Sequence, residues 1–155
     1  MNKVSTVLVI EDNEDHAELT QEALEEAGTF AHIIVTNDGE SALDYLYRRQ
    51  RYQNPADSPR PDLILLDVQL PKMTGFEVLK AIKSDENLKQ IPVVLLTTSS
   101  NQDDIVNGSC LGSNDYIIKP AQYDIYIQKI KGLARYWAFV SDLKNREAIA
   151  DYILN

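Results

Sequence analysis

The sequence predicts an α/β protein: a doubly wound, five-stranded parallel sheet with helices on both faces and a C-terminal helical extension. Three observations predict it. Short aliphatic or β-branched runs alternate with helix-period patterns five times along the chain, which means βαβ units with right-handed crossovers. The central run, Leu63-Ile64-Leu65-Leu66, is continuously apolar, as in a strand buried on both faces. Polar residues close four of the five runs, and in an open parallel sheet those carboxyl ends share one rim, where ligands bind.

The elements follow in order. Val4 to Ile10 reads as the first strand, ending at once in Glu11-Asp12-Asn13-Glu14-Asp15. Asn13 can cap the helix that starts there, with Glu14 and Asp15 at the positive end of its dipole. Ala17, Thr20, Ala23, Leu24 and Ala27 recur at helical spacing, and Gly28 stops the helix as its C′ residue. Ile33 to Val35 is a second strand, and Asp38-Gly39 turns into a helix bearing Ala42, Leu43, Leu46 and Tyr47. Arg48 to Pro61, rich in Arg, Pro, Asn, Gln and Ser, reads as a long loop before the Leu63 strand. Leu70 to Gly75 is a loop, followed by a helix marked by Phe76, Leu79 and Ile82. Pro92 opens the fourth strand, Val93 to Leu96, which ends in Thr97-Thr98-Ser99-Ser100. Asp103 to Cys110 is a short helix that Gly108 and Gly112 specify poorly. Tyr116-Ile117-Ile118 is the fifth strand, closed by Lys119-Pro120. A helix from near Gln122 carries Ile127, Ile130, Leu133, Ala134 and Trp137, and a further piece from Arg146 to Leu154 repeats the pattern.

Composition bounds the function. A chain of 155 residues is one domain by prior expectation and buries roughly two-thirds of its unfolded surface. A net charge of −9 argues against nucleic acid or an acidic membrane as the main partner and is compatible with a metal cation. The single cysteine, Cys110, excludes an internal disulfide and suits a reducing compartment. There is no apolar run of about 18 residues to span a bilayer, and the start at Met1 reaches strand-like sequence too soon for a signal peptide. A cytoplasmic location is expected.

The rim residues carry the chemistry. Glu11 and Asp12 end the first strand, Asp67 the third, Thr97 and Thr98 the fourth, and Lys119 the fifth. Crowded carboxylates repel one another, and a hard cation with oxygen ligands such as Mg²⁺ relieves that. Asp67 is then placed as a nucleophile towards phosphorus, forming an acyl phosphate. Lys119 would neutralise an equatorial oxygen and Thr97 would donate a hydrogen bond to another; positioning and charge neutralisation do most of the work in such a transfer.

In this order, Val9-Ile10-Glu11-Asp12-Asn13, Asp67 through Glu77, Leu96-Thr97 and Asp115 through Pro120 resemble the response-regulator receiver domain of two-component signalling. The resemblance runs from about Val4 to the final helix. It implies a flavodoxin-like sheet of strand order 2-1-3-4-5, a receiver domain over residues 1–137 and an extension over 138–155. It implies Asp67 as phosphoacceptor, Mg²⁺ on Glu11, Asp12, Asp67 and the Gln69 backbone carbonyl, and a cis bond before Pro120. It implies Thr97 and Tyr116 as a switch, the aromatic swinging inward when Thr97 moves, and a sensor histidine kinase as phosphoryl donor. Leu70 and Thr74 stand where the family often has Met and Asp, away from the chemistry. Gln69 and Thr98 occupy the positions that tune loss of phosphate.

Taken singly, each residue has a plainer reading: Glu11 and Asp12 as a helix start, Asp67 as a turn residue, Thr97 and Thr98 as strand and cap residues, Lys119-Pro120 as a turn, Tyr116 as a half-buried aromatic. His16 and His32 lack partner spacing and read as structural or solvated. Arg48, Arg49, Arg51 and Arg60 make a basic loop, read first as solvated and otherwise as a docking patch away from the Asp67 rim. Tyr136, Trp137, Phe139 and Val140 either fold back on the sheet or form a homodimer through the last helix and the Tyr116 face, the second being favoured. The aromatic tail and Arg loop also resemble the regulators paired with cyanobacterial phytochromes. A phosphohydrolase usually needs a second Asp two residues after the nucleophile, where this chain has Gln69. A flavodoxin-like cofactor carrier needs a phosphate loop after the first strand, where Glu11 to Asp15 would repel a phosphate. A pseudo-receiver would not need Glu11, Asp12, Asp67, Thr97 and Lys119 intact. About 18 residues after the last receiver helix are too few for a DNA-binding output domain, so output by protein contact is expected.

Overall fold

The computed structural model describes residues 5–98 and 102–154, with the side chains of 102–104, 106 and 144–154 left out of the description. Val4, Ser99 and Ser100, named above at strand ends, lie outside the described residues, as do the side chains of the Arg146–Leu154 pattern. Strands β1 (Thr6–Ile10), β2 (His32–Thr36), β3 (Leu63–Asp67), β4 (Val93–Thr97) and β5 (Asp115–Ile118) alternate with helices α1 (Glu14–Ala27), α2 (Gly39–Tyr47), α3 (Gly75–Lys83), α4 (Gln102–Cys110) and α5 (Tyr123–Leu154). The sheet is parallel with order β2-β1-β3-β4-β5.

The unmixed aliphatic runs dictate this burial. Every residue of β1, β3 and β4 is buried. Alternate side chains feed two cores, because successive residues of a strand point to opposite faces. Leu8, Ile10, Ile64, Leu66, Val93 and Leu95 pack with α2 and α3. Val7, Val9, Leu63, Leu65, Val94 and Leu96 pack with Ala23 and Leu24 of α1 and with Tyr126, Ile130, Leu133 and Ala134 of α5. The edge strand β5 is only part-buried, and its Tyr116 is 43% exposed.

Helix ends lie where local chemistry sets them. The Asn13 side chain accepts from His16 N at 3.1 Å, and Gly28 takes a left-handed φ of 67° to close α1. Asp38 and Thr74 cap α2 and α3 in the same way, accepting from Ser41 N and Glu77 N. The Arg48–Pro61 segment is a pinned loop with a 3-10 turn at Gln50–Tyr52. Tyr45 Oη donates to Pro59 O at 2.6 Å and Arg60 to Leu46 O at 2.9 Å. Arg48 donates to Ser58 O, Arg49 pairs with Asp44 and lies over Tyr47, and Arg51 lies over Tyr52. The arginines thus serve their own loop, in line with the plainer reading of this stretch.

Two expectations change. The tail is not a separate piece: α5 continues unbroken to Leu154, because nothing from Ala138 to Asn145 is a Gly or Pro that would stop a helix. No peptide bond among the described residues is cis, so the bond before Pro120 is trans, the form that X–Pro bonds favour by about 0.5–1 kcal/mol. Lys119 still reaches the rim from that backbone.

Close packing joins α3 to the rim. A Cβ built on Gly75 would lie 2.3 Å from the Asp67 carbonyl oxygen and 2.7 Å from Val68 Cα, both main-chain atoms that cannot swing aside. Gly75→Ala should therefore lower the unfolding free energy in urea by about 2 kcal/mol or more.

Candidate functional site

Each rim residue is delivered by a strand end. Glu11 follows β1 and extends its ladder through Glu11 N to Thr36 O at 3.0 Å. Asp67 is the last residue of β3 and Thr97 the last of β4, one residue beyond the strand partner of Asp67. Lys119 follows β5 and is tied to Thr97 by Lys119 N to Thr97 O at 2.7 Å. Glu11, Asp67 and Thr97 are buried, while Asp12 is exposed.

The side chains converge. Glu11, Asp12 and Asp67 each offer a carboxylate oxygen within 4.8 Å of the others. The Lys119 ammonium donates to Glu11 Oε1 and, at 3.2 Å, to Asp67 Oδ2. Asp67 Oδ1 accepts from Gln69 N at 2.9 Å, which fixes the carboxylate plane. The Gln69 side chain lies against Thr98 Oγ1 at 3.5 Å, at the outer edge of the rim. Tyr116, on the edge strand, stands outside this cluster and faces solvent.

The structure adds His16, which the sequence reading set aside. Its Nδ1 lies 3.3 Å from Lys119 Nζ and 3.9 Å from Glu11 Oε1. One available signal was its position: Cβ vectors tilt towards a helix N-terminus, so residue 16, four before buried Thr20, leans back over the rim. The partner 103 residues away was not legible. His32 is exposed at the opposite end of the sheet.

Charge excess shapes the titration. Burial, followed by the hydrogen bond to Asp67, pushes Glu11 up to about 8, against a downward pull from Lys119. Burial and then the Lys119 charge hold the His16 imidazole below its ordinary value of 6.5. Three carboxylates against one ammonium fit a hard divalent cation: the donors are all oxygens, and a cation would favour the ionised form of Glu11 that burial disfavours.

Comparison with known proteins places this geometry. The model of the response regulator receiver domain matches residues 7–131, and the chain belongs to that family. The response regulator Rcp1 of Synechocystis sp. is 38% identical over 136 residues, 88% of this chain and 90% of Rcp1. The solved structure of the phosphorylated cyanobacterial phytochrome response regulator RcpA aligns with a TM-score of 0.81 at 42% identity, covering 87% of this chain and 94% of RcpA. The Mn²⁺-bound form of Rcp1 aligns at 0.79 and 38%, covering 86% and 94%. The chain is thus a receiver of two-component signalling, similar to cyanobacterial phytochrome response regulators. No helix among the described residues is long and apolar enough to cross a membrane.

In the metal-free protein, the folded chain keeps the Glu11 proton between 4.5 and about 8, where the unfolded chain has released it. That contribution to stability is full at acidic pH and is lost as pH rises through about 8. Urea midpoints in EDTA should show this loss, and Glu11→Gln should remove it. The difference between the two proteins isolates Glu11 from His16, whose lowered value acts in the opposite direction.

Proposed function

We propose that this receiver accepts a phosphoryl group on Asp67 from the phosphohistidine of a sensor histidine kinase. The observation that carries the reading is the Lys119 ammonium set between Glu11 and Asp67, beneath three carboxylates at one rim. In the transfer an Asp67 oxygen attacks phosphorus, an O–P bond forms, the N–P bond of the donor breaks, and its electron pair returns to the imidazole. Lys119 neutralises one phosphoryl oxygen and the Thr97 hydroxyl donates to another. Glu11, Asp12, Asp67 and the Gln69 carbonyl would hold Mg²⁺, which supplies positive charge to the phosphoryl oxygens when bound. The Mn²⁺ described for Rcp1 supports a divalent cation here. Gln69, two residues after the nucleophile, offers no carboxylate to activate water, so the reaction is self-directed phosphorylation and autodephosphorylation rather than turnover of an external substrate.

Incubation with acetyl phosphate should add one phosphoryl group by intact mass, dependent on Mg²⁺ and absent in Asp67→Asn. No adduct on the wild-type chain, together with no binding of beryllofluoride, would leave a phosphorylation-independent pseudo-receiver instead.

The likeness to RcpA and Rcp1 supports a phytochrome kinase as donor, and the lone exposed Cys110 suits a cytoplasmic setting. Residues 1–137 would act as the receiver and 138–155 as an extension of its last helix. Thr97 and Tyr116 would form the switch, the exposed ring moving inward as Thr97 turns to the phosphoryl group.

Output runs through protein contact, beginning with a homodimer on the last helix and the Tyr116 face. Trp137 packs on the core, but Ile125, Tyr136, Phe139 and Leu143 are exposed at helical spacing along α5. A groove of about 560 Å³ between β5 and α5 adjoins them, lined in part by Tyr116, Lys129, Gly132 and Tyr136. Light scattering should give a dimer mass, with or without a phosphate mimic. Tyr136→Glu with Phe139→Glu should return a monomer that still takes up phosphoryl groups at the wild-type rate.

A further inference from the structure

The Lys119 ammonium has three N–H donors and three acceptors around it: Glu11 Oε1, Asp67 Oδ2 and His16 Nδ1. Two of these acceptors have other work on the proposed reading. Glu11 and Asp67 belong to the carboxylate trio, and an Asp67 oxygen is the one to be phosphorylated. His16 has no such second role. An ammonium only donates, so the ring nitrogen facing it must present its lone pair.

The surroundings hold His16 in place. Its main-chain N–H is taken by the Asn13 cap, and its carbonyl accepts Thr20 Oγ1 at 2.8 Å. Thr20 Oγ1 in turn meets the buried Tyr126 Oη at 2.7 Å, which ties the first turn of α1 to α5. The space among His16, Lys119, Pro120, Tyr123 and Tyr126 is only about 10 Å³, no more than a single water. Lys119 is therefore flanked by the imidazole of His16, whose main chain is fixed at both its N–H and its carbonyl.

We propose that His16 is a positioning residue: its Nδ1 holds Lys119 Nζ over Asp67 as a neutral acceptor while the two carboxylates serve the reaction. A carboxylate at this position would do the same with an added negative charge, which would repel the incoming phosphoryl group. An aliphatic residue would leave the ammonium with one donor unpaired and free to swing. This inference rests on the acceptor reading of Asp67.

The test compares the saturating rate of phosphoryl uptake from acetyl phosphate in His16→Leu and His16→Asn. The Asn amide oxygen stands close to where Nδ1 stands. His16→Leu should lose about tenfold in the saturating rate, the loss expected for one hydrogen bond to a charged group, with the half-saturating concentration unchanged. His16→Asn should restore most of it, and His16→Leu should cost nothing further in a Lys119→Met background. In the metal-free protein, the nitrogen resonance of His16 Nδ1 should shift when Lys119 becomes Met. Equal rates for His16→Leu and wild type overturn the inference, as does an equal loss in both His16 variants or a stationary resonance. A wild-type chain that takes up no phosphoryl group at all removes the acceptor reading, and this inference with it; wild-type uptake with an indifferent His16 removes this inference alone.

Discussion

The ammonium of Lys119 between Glu11 and Asp67 is the interaction on which the rim depends. Both carboxylates are buried, and taking such groups out of water is costly unless charge and hydrogen bonds compensate. One ammonium does not balance three carboxylates, and Glu11 is pushed up by its burial and then by the hydrogen bond to Asp67, against the pull of Lys119. The sheet can carry the cost because its three central strands are buried throughout, and their alternate side chains feed a core on each face. A site with three carboxylates and one ammonium, on a scaffold buried throughout its central strands, is suited to binding a cation and then an anionic group.

The last helix answers a different physical demand. Its inner stripe, Tyr126, Ile130, Leu133 and Ala134, completes the core on the α1 side. Its outer stripe carries exposed apolar residues beside an edge strand that is itself only half covered. Exposed strand edges invite pairing or need a cover. The aromatic residues of the tail therefore divide: Trp137 packs on the core, whereas Tyr136 and Phe139 are exposed.

Much of this was legible in the sequence because the physics was local. Five aliphatic runs separated by helix-period segments make a parallel sheet without further information, and each polar strand end identified itself by interrupting its run. Asn13 and Gly28 announced the limits of α1 for the same reason. Strand order was less accessible, since periodicity does not distinguish one crossover pattern from another; it came through resemblance. His16 was missed because its partner comes from the far end of the chain, and a contact across 103 residues leaves no spacing to read. The unbroken α5 was not read because the pattern from Arg146 to Leu154 stood as a further piece beyond the helix that carries Trp137. A polar stretch without Gly or Pro lowers burial, not helicity, and the helix runs on.

The rim and the outer face of β5 are joined by a short piece of covalent and hydrogen-bonded structure. Lys119 follows directly on the strand that carries Tyr116, and its main-chain N–H is bonded to the carbonyl of Thr97. Thr97 is in register with Ile118. A group that draws Lys119 and Thr97 towards Asp67 must therefore act on the end of β5, the least buried strand and an edge strand with one sheet neighbour to resist displacement. Coupling needs an element able to take up two arrangements. Of the strands at the rim, β5 is the one whose packing leaves room for that, and it lies beside the exposed stripe of α5 where a partner would read the change.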